Sequence, residues 1–417
     1  MPVLRDLLEK SLDGEWGKSD AESGMVPMRV IRGTDFESVD KGKFDDVPVR
    51  FIKESTADRK TLQEGDILLE VAGGSKGRPT GRSLYLDESH LSGSDLPLTC
   101  ASFSRFIRID PVLAEPEYVF WLLQALYVDE TLAKYNTQHT GVSRFQWTVF
   151  ADNEDLPLPS RSTQKRVAGV LSDYRSLLAN NTRRIEILEE MARAVYREWF
   201  VEFRYPGHEG VPLVESDLGP VPDGWRAAPF ADLAEFINGF AFGPDHWGEV
   251  GLPIIKIKEL KNGVTEGTPR YHGDDIKPKY FINDGDILFS WSGDLNAYIW
   301  NGGDGLLNQH LFNVLPGDGI ERLFLFHALK QSMVEFQARS GGTTMHHIKR
   351  SALREVSTPV PPSTVQSVFG DAVGPLDELV LNLHYQNESL RLTRDLLLPR
   401  LVSGRIDVSN LDLTEVA

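Results

Sequence analysis

One cysteine, Cys100, is all that a chain of 417 residues contains, so no intrachain disulfide and no cysteine-built zinc cluster can form. A lone cysteine of this kind reads as a small buried apolar side chain. No run approaches the roughly 18–20 apolar residues that a membrane-spanning helix needs. The opening MPVLRDLLEKSLDGEW carries Asp6, Glu9 and Asp13 where a secretory signal would be apolar, and the expected compartment is the cytoplasm. Positive charge is scarce: 44 Lys and Arg against 61 Asp and Glu leave a formal charge of −17. That balance argues against nucleic-acid binding by overall electrostatics, because neutralising phosphates takes Lys and Arg. Any DNA contact has to come from local basic loops or from a basic partner. Also missing are a P-loop, since no Gly-Lys-Ser/Thr stands at the required spacing from an earlier glycine, an HExxH zinc pair and any spacing that supports a catalytic triad.

What is present is a long helix. Across residues 160–203, the positions Val167, Leu171, Tyr174, Leu178, Asn181, Ile185, Leu188, Ala192, Val195 and Trp199 step by alternating fours and threes. That is the heptad repeat of a coiled-coil seam, with one polar member, Asn181. An offset of 202 lands on a second seam: Phe369, Val373, Leu376, Val380, Leu383, Asn387, Leu390, Arg394, Leu397 and Leu401. Packed antiparallel with Asn181 facing Asn387, every layer keeps the same sum of residue numbers. Leu188 then meets Val380, Ile185 meets Leu383 and Leu178 meets Leu390. Two facing amides can satisfy each other, whereas Asn against Leu would strand buried polar atoms at about 1–3 kcal/mol. In the second helix, Gly374-Pro375 should kink or restart the helix, and Pro399 should end or bend its last turn.

The rest of the chain repeats around these helices. Strand-like runs at 28–32, 49–53, 66–72 and 103–110 precede a helix entered at Pro116 and a helix entry at DLPLPS. Ser160 or Ser162 is placed to cap the long helix. In the second half LPIIKIKEL from Leu252 matches VPMRVIRGT from Val26, DGDILFS matches EGDILLE, and RLFLFHALKQSM matches YVFWLLQALYVD. STPVPPSTVQ stands where DLPLPSRSTQ stood, with Ser363 and Gln366 in capping-box spacing. The expected fold is mixed α/β (α+β): two similar globular domains and two long antiparallel coiled-coil helices, a tandem repeat with pseudo-two-fold symmetry. The expected bounds are 1–159 for the first globular domain, 160–203 for its helix, 204–225 for a Pro/Gly-rich linker, 226–362 for the second domain, 363–403 for its helix and 404–417 for a tail. Helices of about 40 residues span roughly 60 Å, enough for two domains to reach DNA half-sites about one 34 Å turn apart.

Candidate contact residues sit in matching places. GGSKGRPTGR follows the GDIL strand, and its Lys76, Arg78 and Arg82 suit phosphates or guanine edges; an exposed loop with solvated charges is the competing reading. In the equivalent place, WSGDLNAYIW offers Asn296 and Tyr298, with the bland reading favoured. Before the helix entries stand Ser143, Arg144 and Gln146 in one half and His346, His347, Lys349 and Arg350 in the other. Arg suits guanine and Gln adenine. Adjacent histidines do not share a helix face, so no metal site is expected there. Trp199, Phe200 and Phe203 form an aromatic cluster read as core or helix-end packing.

RRIEILEEMARAVYREWFVEFRYPG with LGPVPDGW, and the later LRLTRDLLLPRLVSGRIDVS, resemble the central and distal conserved regions of type I restriction-modification specificity (S) subunits. The resemblance covers essentially the whole chain. It implies two target recognition domains, each reading one half of a bipartite double-stranded DNA sequence, with the helices setting the spacing. It also implies two docked modification (M) subunits, with a restriction (R) subunit joining through that complex. S-adenosylmethionine and the catalytic loop then belong to M. In keeping with this, the chain lacks an Asn-Pro-Pro-aromatic tetrapeptide and a glycine-rich donor fingerprint, so it is expected to have no catalytic residues and no cofactor of its own. The competing readings are a helical scaffold without DNA readout, a self-sufficient methyltransferase or nuclease, or the recognition subunit of a modification-only or type IIB-like system.

Overall fold

The computed structural model describes residues 1–74, 79–139, 142–265, 267–293, 295–339 and 348–408. They divide into two compact units, one made of 1–179 with the chain end from 390, the other of 180–389.

The first unit contains strands β1 (Leu8–Asp13), β2 (Met25–Ile31), β3 (Val49–Lys53), β4 (Ile67–Glu70), β5 (Ala72–Gly74), β6 (Ser83–Tyr85), β7 (Leu98–Cys100), β8 (Ser104–Ile109), β9 (Asn136–His139) and β10 (Val142–Phe145), with helix α1 (Pro116–Val128) between β8 and β9. They form sheets of order β1-β8-β4-β6, β3-β2-β7 and β5-β10-β9, and β2 runs parallel to β7. All four residues of β4 are buried because both faces of the strand are covered. Ile67 and Leu69 point into the core that includes Tyr118 and Leu122 of α1. Leu68, one residue out of phase, joins Ile31, Leu84 and Phe106 on the other side. Cys100 is fully buried, and that burial pushes its thiol up to about 12.

The second unit contains β11 (Leu213–Ser216), β12 (Gly219–Pro222), β13 (Arg226–Pro229), β14 (Ala234–Asn238), β15 (Leu252–Ile255), β16 (Arg270–Tyr271), β17 (Phe281–Ile282), β18 (Ile287–Ser290), β19 (Asn296–Ile299), β20 (Gly305–Leu307), β21 (Leu311–Pro316) and β22 (Ser357–Val360). Its main sheet, β14-β21-β18-β19, repeats the order of β1-β8-β4-β6, and its parallel pair β15·β20 repeats β2·β7. The repetition reaches single hydrogen bonds. The Asp66 carboxylate accepts from the Gln63 amide at 2.8 Å, and Asp286 accepts from Asn283 at 2.9 Å. Ala101, just after β7, donates its amide to Ile31 O, and Asn308, just after β20, donates to Ile255 O. Ile31 therefore corresponds to Ile255, an offset of 224 rather than the 226 by which VPMRVIRGT aligns with LPIIKIKEL. A two-residue slip leaves every side chain on its own face, so the alternating pattern does not register it.

The long helices are α2 (Arg161–Phe200) and α4 (Ser363–Val402); α3 (Arg322–Gln331) lies between them in sequence. Every seam position read from the heptads is buried or half-buried, and the stretches between them carry the exposed residues. Ser160 caps α2, its hydroxyl accepting from the Thr163 amide at 3.3 Å. The capping box at Ser363 does not form. Instead the Gln366 carboxamide accepts from the Glu321 amide at 2.9 Å and donates to Pro361 O at 2.9 Å. Gln164 makes the same two bonds in the first unit, to Glu115 and Pro159. These buried amides close the gap between a helix start and the next helix entry, where unpaired backbone groups would be costly. α4 runs unbroken through Gly374-Pro375 and ends three residues beyond Pro399. Proline's fixed φ is itself helical, and buried neighbours such as Phe369 and Val373 offset the lost hydrogen bond.

α2 stops at Phe200, short of 203, and Phe203 takes a left-handed φ of 58° with its ring set edge-on to Trp225 at 5.4 Å. Trp199 and Phe200 are core, with ring centroids 5.8 and 4.9 Å from Phe369. Residues 204–225 are not a free spacer: β11 and β12 form a hairpin, and Tyr205, Val221 and Trp225 are buried in the second unit's core. At the other end, Val408 docks into the first unit's core. Among the described residues no helix is long and apolar enough to cross a membrane.

Candidate nucleic-acid interface

In the first unit β10 is the central strand of a small sheet, pairing with β9 on one side and β5 on the other. Ser143 and Arg144 lie opposite Gly74 and Ala72. Ser143 is buried and its hydroxyl donates to Asn136 Oδ1 at 3.0 Å. Arg144, the next residue on the strand, is exposed. Gln146 is exposed too and sits at the start of the short helix Trp147–Asn153, its amide donating to Tyr135 O. Arg144 and Gln146 line an open groove of about 510 Å³ together with Phe103, Thr148 and Val149. One wall is held by Arg105, which donates to Ser11 and Asp13 and lies 5.2 Å from the Trp147 ring centroid.

Arg82 lies elsewhere. Its guanidinium forms a two-pronged ion pair with the buried Glu70, at 2.9 and 3.0 Å, and also donates to Gly33 O. Those bonds favour an internal, strand-tying role over DNA contact. Lys76 and Arg78 lie outside the described residues, as do His346 and His347.

In the second unit Ile348 donates its amide to Trp291 O, as Phe145 does to Val71 O. That bond puts Lys349 at the place of Gln146 and Arg350 at the place of Trp147. Both are exposed, and Arg350 also reaches Phe236 O at 3.5 Å. Asn296 and Tyr298 are on β19, Asn296 opposite Ser290 at the base of the hairpin loop: Asn296 turns its side-chain oxygen onto the Ala297 amide, and Tyr298 lines a pocket with Glu189, His327, Lys330 and Asp377. Among the described residues no group of three or more His, Cys, Asp or Glu is placed to hold a metal ion.

The arrangement is two repeats of one fold, each with exposed hydrogen-bonding side chains just before the helix entry. Residues 222–391 match the family described as the type I restriction modification DNA specificity domain. The chain is 26% identical over 342 residues to the type I restriction enzyme MjaIX specificity subunit of Methanocaldococcus jannaschii, covering 76% of this chain and 74% of the relative. It is 24% identical over 418 residues to the HindI specificity subunit of Haemophilus influenzae, covering 84% and 88%. The solved type I restriction-modification S subunit from M. genitalium shares the fold with a TM-score of 0.54 at 14% identity, across 96% of this chain and 94% of that one. Over most of its length the chain is similar to type I restriction-modification specificity subunits.

The candidate contact residues missed in the sequence are those on the turns after β7 and β20. Phe103 follows β7 and is 65% exposed; Gln309 and His310 hold the matching places after β20. No motif marks these turns. Only the strand register shows that the first of them stands beside β5, through the amides of Val71 and Ala72, which both donate to Phe103 O.

Proposed function

We propose that this chain is the non-catalytic DNA-specificity subunit of a type I restriction-modification complex, each repeat reading one half of a bipartite duplex target. The observation that carries the reading is the duplication. The DNA specificity match falls on residues 222–391, and the first unit has the same sheet order, parallel pair and carboxamide bridge. Arg144 and Gln146, with Lys349 and Arg350, are the described residues proposed to meet DNA, Arg toward guanine and Gln toward adenine. Lys76, Arg78, His346 and His347 remain proposed contacts on sequence grounds. The partners are two methyltransferase subunits on the helical region, which hold the methyl donor, and a restriction subunit joining through them. Exchanging residues 1–159 for those of a relative is the test. One half of the methylated sequence should change and the other should stay; an unchanged target, or loss of both halves in a folded complex, would overturn the reading.

The helices are proposed as the spacer, in the register that sets Asn181 against Asn387. Two observations favour it: Trp199 meets Phe369, a pair with the same number sum, and both asparagines are buried, at 6% and 3% exposure. Asn387 Oδ1 has no hydrogen-bond partner among the described residues. Leu at both positions should be neutral or stabilising, while Asn181→Leu alone should cost about 1–3 kcal/mol. Additive effects in that double-mutant cycle, read by urea denaturation, would contradict the facing register.

A further inference from the structure

We infer that Phe103 is a specificity-determining residue of the first repeat, reading the 5-methyl group of a thymine in its half-site; this rests on the DNA-reading function proposed above. A phenylalanine left 65% exposed is an unusual use of a large apolar ring, and its backbone is pinned by the amides of Val71 and Ala72. The ring therefore stands on a fixed turn. It shares one groove with the exposed Arg144 and Gln146 and with Val149, which is 45% exposed. Asp13, the acid lining the groove, is neutralised by Arg105. Arg and Gln supply the donors that major-groove guanine and adenine edges accept, and an aromatic or aliphatic surface beside them matches the thymine methyl, the groove's one apolar feature. The second repeat places Gln309 and His310 on the matching turn. There His310 is half-buried against Trp291, with ring centroids 5.8 Å apart. Among the described residues that turn offers no bare apolar ring, so the methyl-reading is assigned to the first half-site.

The test uses the full chain assembled with its methyltransferase partner and duplexes in which each thymine of the methylated target is replaced in turn by deoxyuridine, which lacks the methyl. One position in the first half-site should weaken binding by about fourfold, the worth of one buried methyl-sized group. Phe103→Ala should bind the thymine and deoxyuridine duplexes alike, while Phe103→Leu keeps the difference. Because the ring is exposed, the alanine variant should fold, and circular dichroism checks it. Methyl sensitivity that persists in Phe103→Ala, or none at any position in the unmodified chain, would overturn the assignment while leaving sequence preference intact. Loss of preference between target and unrelated duplexes would instead refute the DNA-reading function beneath it.

Discussion

Replacing Asp66 with alanine is expected to cost about 3–5 kcal/mol, and the matching change at Asp286 only about 1–3 kcal/mol. Both aspartates follow the glycine of a GDIL strand, and both accept a hydrogen bond from the turn amide three residues earlier. Their second partners differ. Asp66, with no exposed side-chain surface, meets both ends of the Arg108 guanidinium at 2.8 Å. Burial pushes its carboxyl above the ordinary value, while Arg108 and the Gln63 amide pull it back. Removing it leaves a guanidinium that is 13% exposed without its counter-charge. In the second repeat the partner is the neutral Asn313 amide at 3.3 Å, so truncation strands no charge. Urea denaturation of the full chain, followed for each variant, checks this. Equal losses would show that the ion pair adds nothing beyond the shared turn bond.

Phe369→Ala should be as damaging, at about 3–5 kcal/mol, whereas Val167→Ala at the repeat-related position should cost about 2 kcal/mol. Each is fully buried on the seam of its long helix. Phe369 closes an aromatic cluster with Tyr196, Trp199 and Phe200, at centroid distances of 5.9, 5.8 and 4.9 Å. Val167 shares its core cluster with Leu171, Leu398 and Leu401, and brings no ring of its own. The alanine left by Phe369 faces rings that are fixed by one another and cannot collapse into the gap. If the two variants unfold at the same urea concentration, the aromatic layer carries no extra weight.

The helices were legible because their period is long and unbroken: each seam residue from Val167 to Trp199 and from Phe369 to Leu401 is at least half-buried. The duplication was legible for the same reason, since GDIL and the carboxamides at 164 and 366 recur as sequence. The strands β5, β9 and β10 were not, being short and carrying Gly, Asn and Gln that read as loop. They build the sheet that presents Arg144. Arg82 looked like a free cation in a glycine-rich loop; its commitment to Glu70 depends on a pairing across 12 residues that no local pattern encodes. Phe103 was hidden for a related reason, because exposure is a tertiary property.

The function proposed for this one chain is to fix a two-part DNA target. Single-molecule sequencing of methylated DNA from the host, with and without this gene, tests it most directly. A methylated sequence of two short halves around an unread spacer should be present with the gene and absent without it. Methylation that is identical in both strains would contradict the account.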